Sequence, residues 1–167
     1  MFRRLKDFFA AHEQMAKNTQ RVFALLTDEN LEQRIAAGHR RLGDIAWHVV
    51  VTIPEMMQRT GLALSAVDAQ APPPAQAEAI RTAYARAAEE LDAALRAQWN
   101  DASLEETDDL YGESWPRGLT LRILLDHQIH HLGQASVLLR QAGAVVPGIY
   151  GPAKEEWERF GMQTPPY

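Results

Sequence analysis

Apolar residues recur every three to four positions along four long stretches of the chain, which is the spacing of one face of an α-helix. These stretches predict four long helices, near residues 2–26, 42–61, 75–99 and 120–141. The segment AKEEWERF predicts a further short helix near the C-terminus. No run shows the strict alternation of a half-buried strand. The pattern therefore predicts an all-α fold, an antiparallel four-helix bundle with a short C-terminal helix, in which residues 1–167 form one domain.

The connections between these helices differ in character. The segment VDAQAPPPAQ is rich in proline and predicts an extended connector between the second and third helices. The stretch DASLEETDDLYGESWPRG carries turn residues and predicts an ordered connection or a short hairpin before the fourth helix. The second helix is apolar on nearly every side and contains Pro54, which is expected to bend it or loosen the preceding turn.

Composition and charge narrow the class of protein. The chain contains no cysteine, which excludes disulfides and thiolate metal ligands, so a tightly bound metal must use nitrogen and oxygen ligands. The formal net charge of -5 argues against a nucleic-acid-binding surface. No apolar run approaches the roughly 18 residues of a membrane span, and the charges near the N-terminus lie too close together for a secretory signal. We expect a soluble, cytoplasmic protein that acts on a small molecule and does not associate with membranes.

Three histidines form the strongest candidate site. His127 and His131 lie one helical turn apart in DHQIHHLGQ, on the side of the fourth helix that carries its apolar residues. His48 lies in the apolar segment DIAWHVVVTI of the second helix. Three imidazoles around one divalent cation leave coordination positions open for water or substrate, as in catalytic sites. Zn²⁺ or Ni²⁺ suits these ligands best, and Fe²⁺ or Mn²⁺ is also compatible with them.

A weaker interpretation stays open for each histidine. With six histidines in the chain, a pair at this spacing arises by chance on the order of one time in five, and the rings could merely pack in a structural dimer. His130 lies at the flank of the ligand face and His39 lies in a loop, so neither is expected to bind the metal. His12 lies on the apolar stripe of the first helix and is expected to be a hydrogen-bonded core histidine.

Other polar residues could complete the site. Asp44, Thr52 and Glu55 point in nearly the same direction as His48, and Glu55 or Asp44 could orient an imidazole or accept a proton from bound water. Asp44 could equally stabilise the first turn of its helix through the macrodipole. Gln134 could donate to a substrate or satisfy a buried carbonyl. Large side chains that could line an apolar pocket are Trp47, Met56, Met57, Tyr111, Trp115, Tyr150 and Trp157.

The segment LGDIAWH around His48, followed by HQIHHLGQ and LLRQAG, resembles the DinB/YfiT-like superfamily of metal-binding four-helix bundles. The resemblance covers nearly the whole chain. It implies that His48 on the second helix and His127 and His131 on the last long helix are metal ligands. The common family form has an arginine before the Gly-Gln pair, whereas this chain has Leu132 there.

The resemblance also implies two classes of function. Several members are thiol-dependent S-transferases or isomerases that use glutathione, mycothiol or bacillithiol, and others are named for their induction by DNA damage. A metal-dependent S-transferase or hydrolase acting on a small electrophile, with a low-molecular-weight thiol as cosubstrate, is the first expectation. A non-catalytic metal- or ligand-binding stress protein is the alternative. The resemblance, together with the apolar second helix, further predicts a homodimer.

Overall fold

The computed structural model describes residues 1–166 and confirms the helical bundle. Four long helices form where the apolar periodicity predicts them, each shifted by a few residues at its ends. They are α1 (Leu5–Phe23), α2 (Leu42–Gln58), α3 (Ala77–Gln98) and α4 (Arg117–Gln141). Their buried apolar side chains form one continuous core cluster.

Short 3₁₀ helices occupy the connections and the C-terminal region. They span Asn30–Glu32, Asp101–Glu105 and Lys154–Phe160. The last of these is the predicted terminal helix, which forms 3₁₀ rather than α-helical turns. It ends at Gly161, whose left-handed backbone, with φ of 65°, suits a residue without a Cβ.

A β-hairpin precedes α4, as the turn-rich sequence predicts. Strands β1 (Thr107–Leu110) and β2 (Glu113–Pro116) pair antiparallel across a two-residue turn. Both turn residues, Tyr111 and Gly112, have positive φ, the conformation that a type I′ hairpin turn requires. The hairpin leads directly into α4 and sets the position at which that helix begins.

Contacts between the helices define their directions. His12 of α1 contacts Asp92 of α3 and Phe23 packs on Tyr84, so α1 and α3 run antiparallel. Across the other pair, His48 of α2 meets both His127 and His131 of α4.

The ends of α1 and α4 lie together, since Phe2 donates its N–H to the Gly118 carbonyl and Asn18 donates to the carbonyl of Ile149 beyond α4. These two helices therefore run parallel. In a cleft between α2 and α4, Ile45 lies opposite Leu138, whereas His48, further along α2, lies opposite the earlier residue His127. Helix α2 therefore runs antiparallel to α4. It follows that α2 and α3 both run opposite to α1. The bundle thus has an up-down-down-up order, in which α1 with α3 and α2 with α4 pack antiparallel, whereas α1 with α4 and α2 with α3 pack parallel.

The 18-residue connection between α2 and α3 makes this order feasible, because it is long enough to return the chain to the other end of the bundle. It contains the proline-rich segment. Trp47 on α2 donates its indole N–H to the Ala71 carbonyl of this connection at 2.7 Å. The connector is thereby tied to the bundle surface.

Helix α2 is covered on almost all sides within the chain. It packs against α3, α4 and the first 3₁₀ helix, and Pro54 lies inside the helix without ending it. Its apolar surface therefore needs no partner subunit for burial. Large apolar side chains that stay exposed on α4 are Ile129 and Val137, at 38% and 47% exposure. Across the described residues, the structure has no helix with the length and apolarity needed to span a bilayer.

Candidate metal centre

Three imidazoles meet between α2 and α4. The Nε2 atom of His127 lies 3.1 Å from the Nε2 of His48 and 3.1 Å from the Nε2 of His131. Because α2 packs antiparallel on α4, His48 lies beside the turn of α4 that carries His127 and His131. The structure thus places all three predicted histidines in one group that has the dimensions of a metal site.

The separations between the nitrogens fit a divalent cation. A metal about 2.1 Å from two imidazole nitrogens holds them about 3.0 Å apart at a right angle and about 3.4 Å apart at the tetrahedral angle. The observed 3.1 Å lies between these values. Without a cation, one hydrogen on the His127 Nε2 can be donated to only one of its two neighbours, which leaves the lone pair of the other neighbour without a donor. One cation satisfies all three nitrogens at once.

Electrostatics keep these imidazoles neutral, the form that binds metals. Burial lowers the pKa of His127 to about 4, with the adjacent His131 and His48 adding to the effect. Burial is also the main cause of the lowered pKa of His48 and His131. At neutral pH the three rings therefore offer lone pairs without first losing a proton.

Gln134 fixes the orientation of His131. The Nδ1 of His131 lies 2.7 Å from the Gln134 Oε1, an acceptor, so Nδ1 carries the hydrogen and Nε2 is left with its lone pair toward the cluster. The amide nitrogen of Gln134 lies 3.2 Å from the Nε2 of His130, which accepts from it. Gln134 is on the ligand face as predicted, but its partners are these two imidazoles and not a backbone carbonyl.

Asp44 occupies the first turn of α2. It accepts a hydrogen bond from the backbone N–H of Arg41 at 2.9 Å and forms an ion pair with the Arg41 guanidinium at 2.7 Å. This pairing lowers the pKa of Asp44. The structure thus agrees with the helix-end interpretation of Asp44. Thr52 likewise bonds locally, donating to the carbonyl of His48.

Glu55 lies two turns along α2 from His48 and faces the hairpin. Its carboxylate accepts hydrogen bonds from the Tyr111 hydroxyl at 2.7 Å and from the Arg59 guanidinium at 2.8 Å. Its negative charge opposes the lowering of the pKa of His48 and His127, so it lies within electrostatic reach of the histidine cluster. Sequence reasoning selected Glu55 but could not pair it with Tyr111, because the two are 56 residues apart.

The other histidines have separate environments. His12 is buried and forms a 2.8 Å contact from Nδ1 to Asp92, so its expected role as a hydrogen-bonded core residue agrees with the structure. His130 contacts Gln134 at the surface and lies outside the three-histidine group. His39 lies in the loop before α2, as expected, but lines a cleft.

This cleft, about 440 Å³ in volume, lies one helical turn from the histidines between α2, α4 and the loop before α2. Its wall includes Ile35, Arg40, Ile45, Gln134, Val137 and Leu138. None of the seven large side chains proposed for pocket lining is among its residues. Met56 and Met57 fill the core instead, and Trp47 faces the connector. Sequence periodicity could not reveal the cleft, because a loop forms one of its walls.

Comparison with known proteins supports the same architecture. The chain is 43% identical to the YrdA protein of Bacillus subtilis strain 168 over 165 residues, which cover 99% of each protein. It is 37% identical to a DinB-like protein from Bacillus cereus ATCC 10987, whose crystal structure superposes with a TM-score of 0.86 and covers 90% of this chain and 100% of that one.

A more distant DinB-like protein, YjoA of Bacillus subtilis, is 16% identical and shares the fold alone, with a TM-score of 0.70 over 88% of this chain and 99% of that one. Leu132, which stands in place of the arginine common in the family, is fully buried in the core. The sequence profile of the DinB family matches residues 1–165. The chain therefore belongs to the DinB family.

Proposed function

We propose that the protein is a divalent-metal-dependent enzyme, of the thiol S-transferase or hydrolase type, that acts on a small electrophilic molecule. The observation that carries the proposal is the convergence of the Nε2 atoms of His48, His127 and His131 one helical turn from a cleft. Three protein ligands on an open site are typical of catalytic and not of structural metal centres. Zn²⁺ or Ni²⁺ is the expected metal, with Fe²⁺ or Mn²⁺ compatible with the same ligands.

The three imidazoles, the cosubstrate and Gln134 have separate proposed roles. A divalent cation held by the three imidazoles lowers the pKa of a thiol or water bound to it and so supplies a nucleophile at neutral pH. Because the chain has no cysteine, a thiol nucleophile must come from a low-molecular-weight cosubstrate. Gln134 holds His131 in the tautomer that presents its Nε2 lone pair.

Glu55 is the proposed proton acceptor. It is the carboxylate whose charge reaches both His48 and His127, and Arg59 holds it in place. The raised pKa of Tyr111, about 12, keeps the phenol protonated, so that it donates to Glu55. Both carboxylate oxygens of Glu55 accept hydrogen bonds, Oε1 from Arg59 and Oε2 from Tyr111, so a proton that reached Glu55 from the cluster would replace one of these donors.

Activity of metal-loaded protein tests the proposal. Protein purified without a histidine tag is loaded with Zn²⁺ or Ni²⁺ and incubated with glutathione, mycothiol or bacillithiol and a panel of epoxide, haloalkane and activated-ester acceptors. We expect turnover that is lost on chelation and restored by metal. Metal bound at one per chain without turnover of any acceptor would support instead a non-catalytic metal-binding stress protein.

The role of Gln134 makes a separate prediction. Gln134→Leu removes the acceptor that fixes His131, so we expect metal affinity to fall roughly 10-fold, the lower end of the usual effect for such supporting residues. Gln141→Leu, at the end of the same helix, is the matched control and should leave affinity unchanged. Competition with a chromophoric chelator measures both. Equal affinities for the wild type and Gln134→Leu would contradict the role assigned here.

We also propose that the protein forms a homodimer. The exposed Ile129 lies on the surface of α4, where a symmetric partner could cover it. Sedimentation at micromolar concentration is expected to give a species of twice the 18.7 kDa chain mass. A single 18.7 kDa species would refute dimer formation and leave the metal proposal intact.

A further inference from the structure

A preformed cleft with one unpaired positive charge lies beside the histidine cluster. Its apolar wall is formed by Ile35, Ile45, Val137 and Leu138, and its volume of about 440 Å³ lies within the usual range for small-molecule sites. Of the residues on its wall, none is an aspartate or glutamate. The cleft thus combines an apolar surface with a cation and without a compensating anion.

Arg40 supplies that cation. Its neighbour Arg41 forms ion pairs with Glu32 and Asp44, whereas the Arg40 guanidinium forms none with any carboxylate of residues 1–166. Its charge contributes to the lowered pKa of both His48 and His131, which places it within electrostatic range of the cluster. An arginine in this position is available to pair with an anion brought by a ligand.

The loop that carries Arg40 is held in place. Arg34 and Arg41 form an isolated antiparallel bridge, and the Leu42 N–H donates to the Gln33 carbonyl at 2.8 Å. Arg34 also donates from its guanidinium to the His39 carbonyl. The turn is completed at Gly38, whose φ of 80° suits glycine. The loop is therefore ordered before a ligand binds, so binding loses no affinity to ordering it.

We infer that this cleft binds the substrate through a carboxylate that pairs with Arg40, with the apolar body of the molecule packed between Ile35 and Val137. A single guanidinium pairs with one carboxylate through two parallel hydrogen bonds and balances its single charge, whereas it would leave half the charge of a phosphate dianion unbalanced. Gln134 belongs both to the cleft wall and to the hydrogen bond with His131, so a molecule in the cleft lies next to a residue that contacts the metal centre. The identification of the bound molecule as the substrate rests on the proposed function, whereas the prediction that the cleft binds a carboxylate does not.

Binding of hexanoate, with hexanamide as its uncharged counterpart, tests the inference. Titrations followed by the methyl resonances of Ile35 and Val137 are performed on metal-loaded wild type and on the His127→Ala variant, so that coordination of the carboxylate by metal is separated from cleft binding. We expect hexanoate to bind both proteins, shifting these methyl signals, and hexanamide to bind roughly tenfold more weakly or worse.

Two variants locate the charge. Arg40→Gln should weaken hexanoate binding roughly tenfold or more, and Val137→Glu, which adds a carboxylate to the cleft, should weaken it similarly. Arg86→Gln, an exposed arginine on α3, is the control and should change nothing. Unchanged binding in Arg40→Gln, or binding that requires metal and leaves the Ile35 and Val137 signals unmoved, would overturn the inference. Metal content, measured separately, would still decide the proposed metal centre.

Discussion

Alanine at any one of His48, His127 or His131 is expected to remove most of the bound metal. The three Nε2 atoms lie at separations that one cation can satisfy together, and two remaining imidazoles cannot hold the same geometry. Metal-loaded wild type should melt well above each variant, because metal binding to the folded state adds to its stability. Elemental analysis after dialysis against a mild chelator, together with melting curves, measures both effects.

Two other histidines are matched controls for this experiment. His39 lines the neighbouring cleft and His130 contacts the far side of Gln134, yet neither belongs to the three-histidine group. His39→Ala and His130→Ala should keep the metal and the melting temperature. Retention of one metal per chain by His48→Ala, His127→Ala or His131→Ala would remove that residue from the ligand set.

The metal-free proteins provide an internal check. Among residues 1–166 the buried Nδ1 of His127 has no hydrogen-bond partner, and a metal on Nε2 does not change this, so the ring itself stabilises the fold little when metal is removed. In chelator, His127→Ala should therefore differ from wild type by less than it does in metal. A large loss of stability that is equal with and without metal would indicate a packing role instead.

Helix positions could be predicted from the sequence because each helix buries one stripe of its own surface. The spacing of apolar residues along the chain shows where that stripe lies. Helix directions could not, because they depend on how long connections return across the bundle. The 18-residue link between α2 and α3 allows α3 to run in either direction. Contacts such as that of His12 with Asp92 show which direction it takes. The same reasoning explains why the hairpin was predictable and its contact with Glu55 was not.

In the histidine site too, contacts within one helix could be predicted from the sequence and contacts between elements could not. His127 and His131 share a face of one helix, so their convergence follows from spacing alone. His48 joins them only through the packing of α2 on α4; its place in an apolar helix made it a candidate, and the family resemblance matched the same residue. Gln134 was placed on the correct face, but its partner depends on a side-chain rotation that periodicity does not specify. Arg40 was assigned no role, because a loop residue gains its neighbours from the tertiary fold.

Gly118→Ala is expected to cause a large loss of stability in a position remote from the histidines. A Cβ at Gly118, in the first turn of α4, would lie 2.1 Å from the backbone carbonyl oxygen of Phe2 and 3.3 Å from that of Leu104. Neither oxygen belongs to a flexible side chain, and the Phe2 N–H is bonded to the Gly118 carbonyl at 2.9 Å. The N-terminal segment must therefore move, which we expect to cost about 2 kcal/mol or more.

Gly133→Ala, in the same helix, is the matched substitution with the opposite sign. A Cβ there meets no heavy atom of residues 1–166 within 4 Å, and alanine in a helix interior is favoured over glycine by about 0.5–1 kcal/mol. Thermal denaturation of both variants in chelator measures the two changes free of any metal contribution. We expect Gly118→Ala to lower the melting temperature by roughly 4–8 °C and Gly133→Ala to raise it slightly, since 1 kcal/mol corresponds to about 2–4 °C in a protein of this size. Equal effects of the two substitutions would show that the segment around Phe2 does not pack against the start of α4 as described.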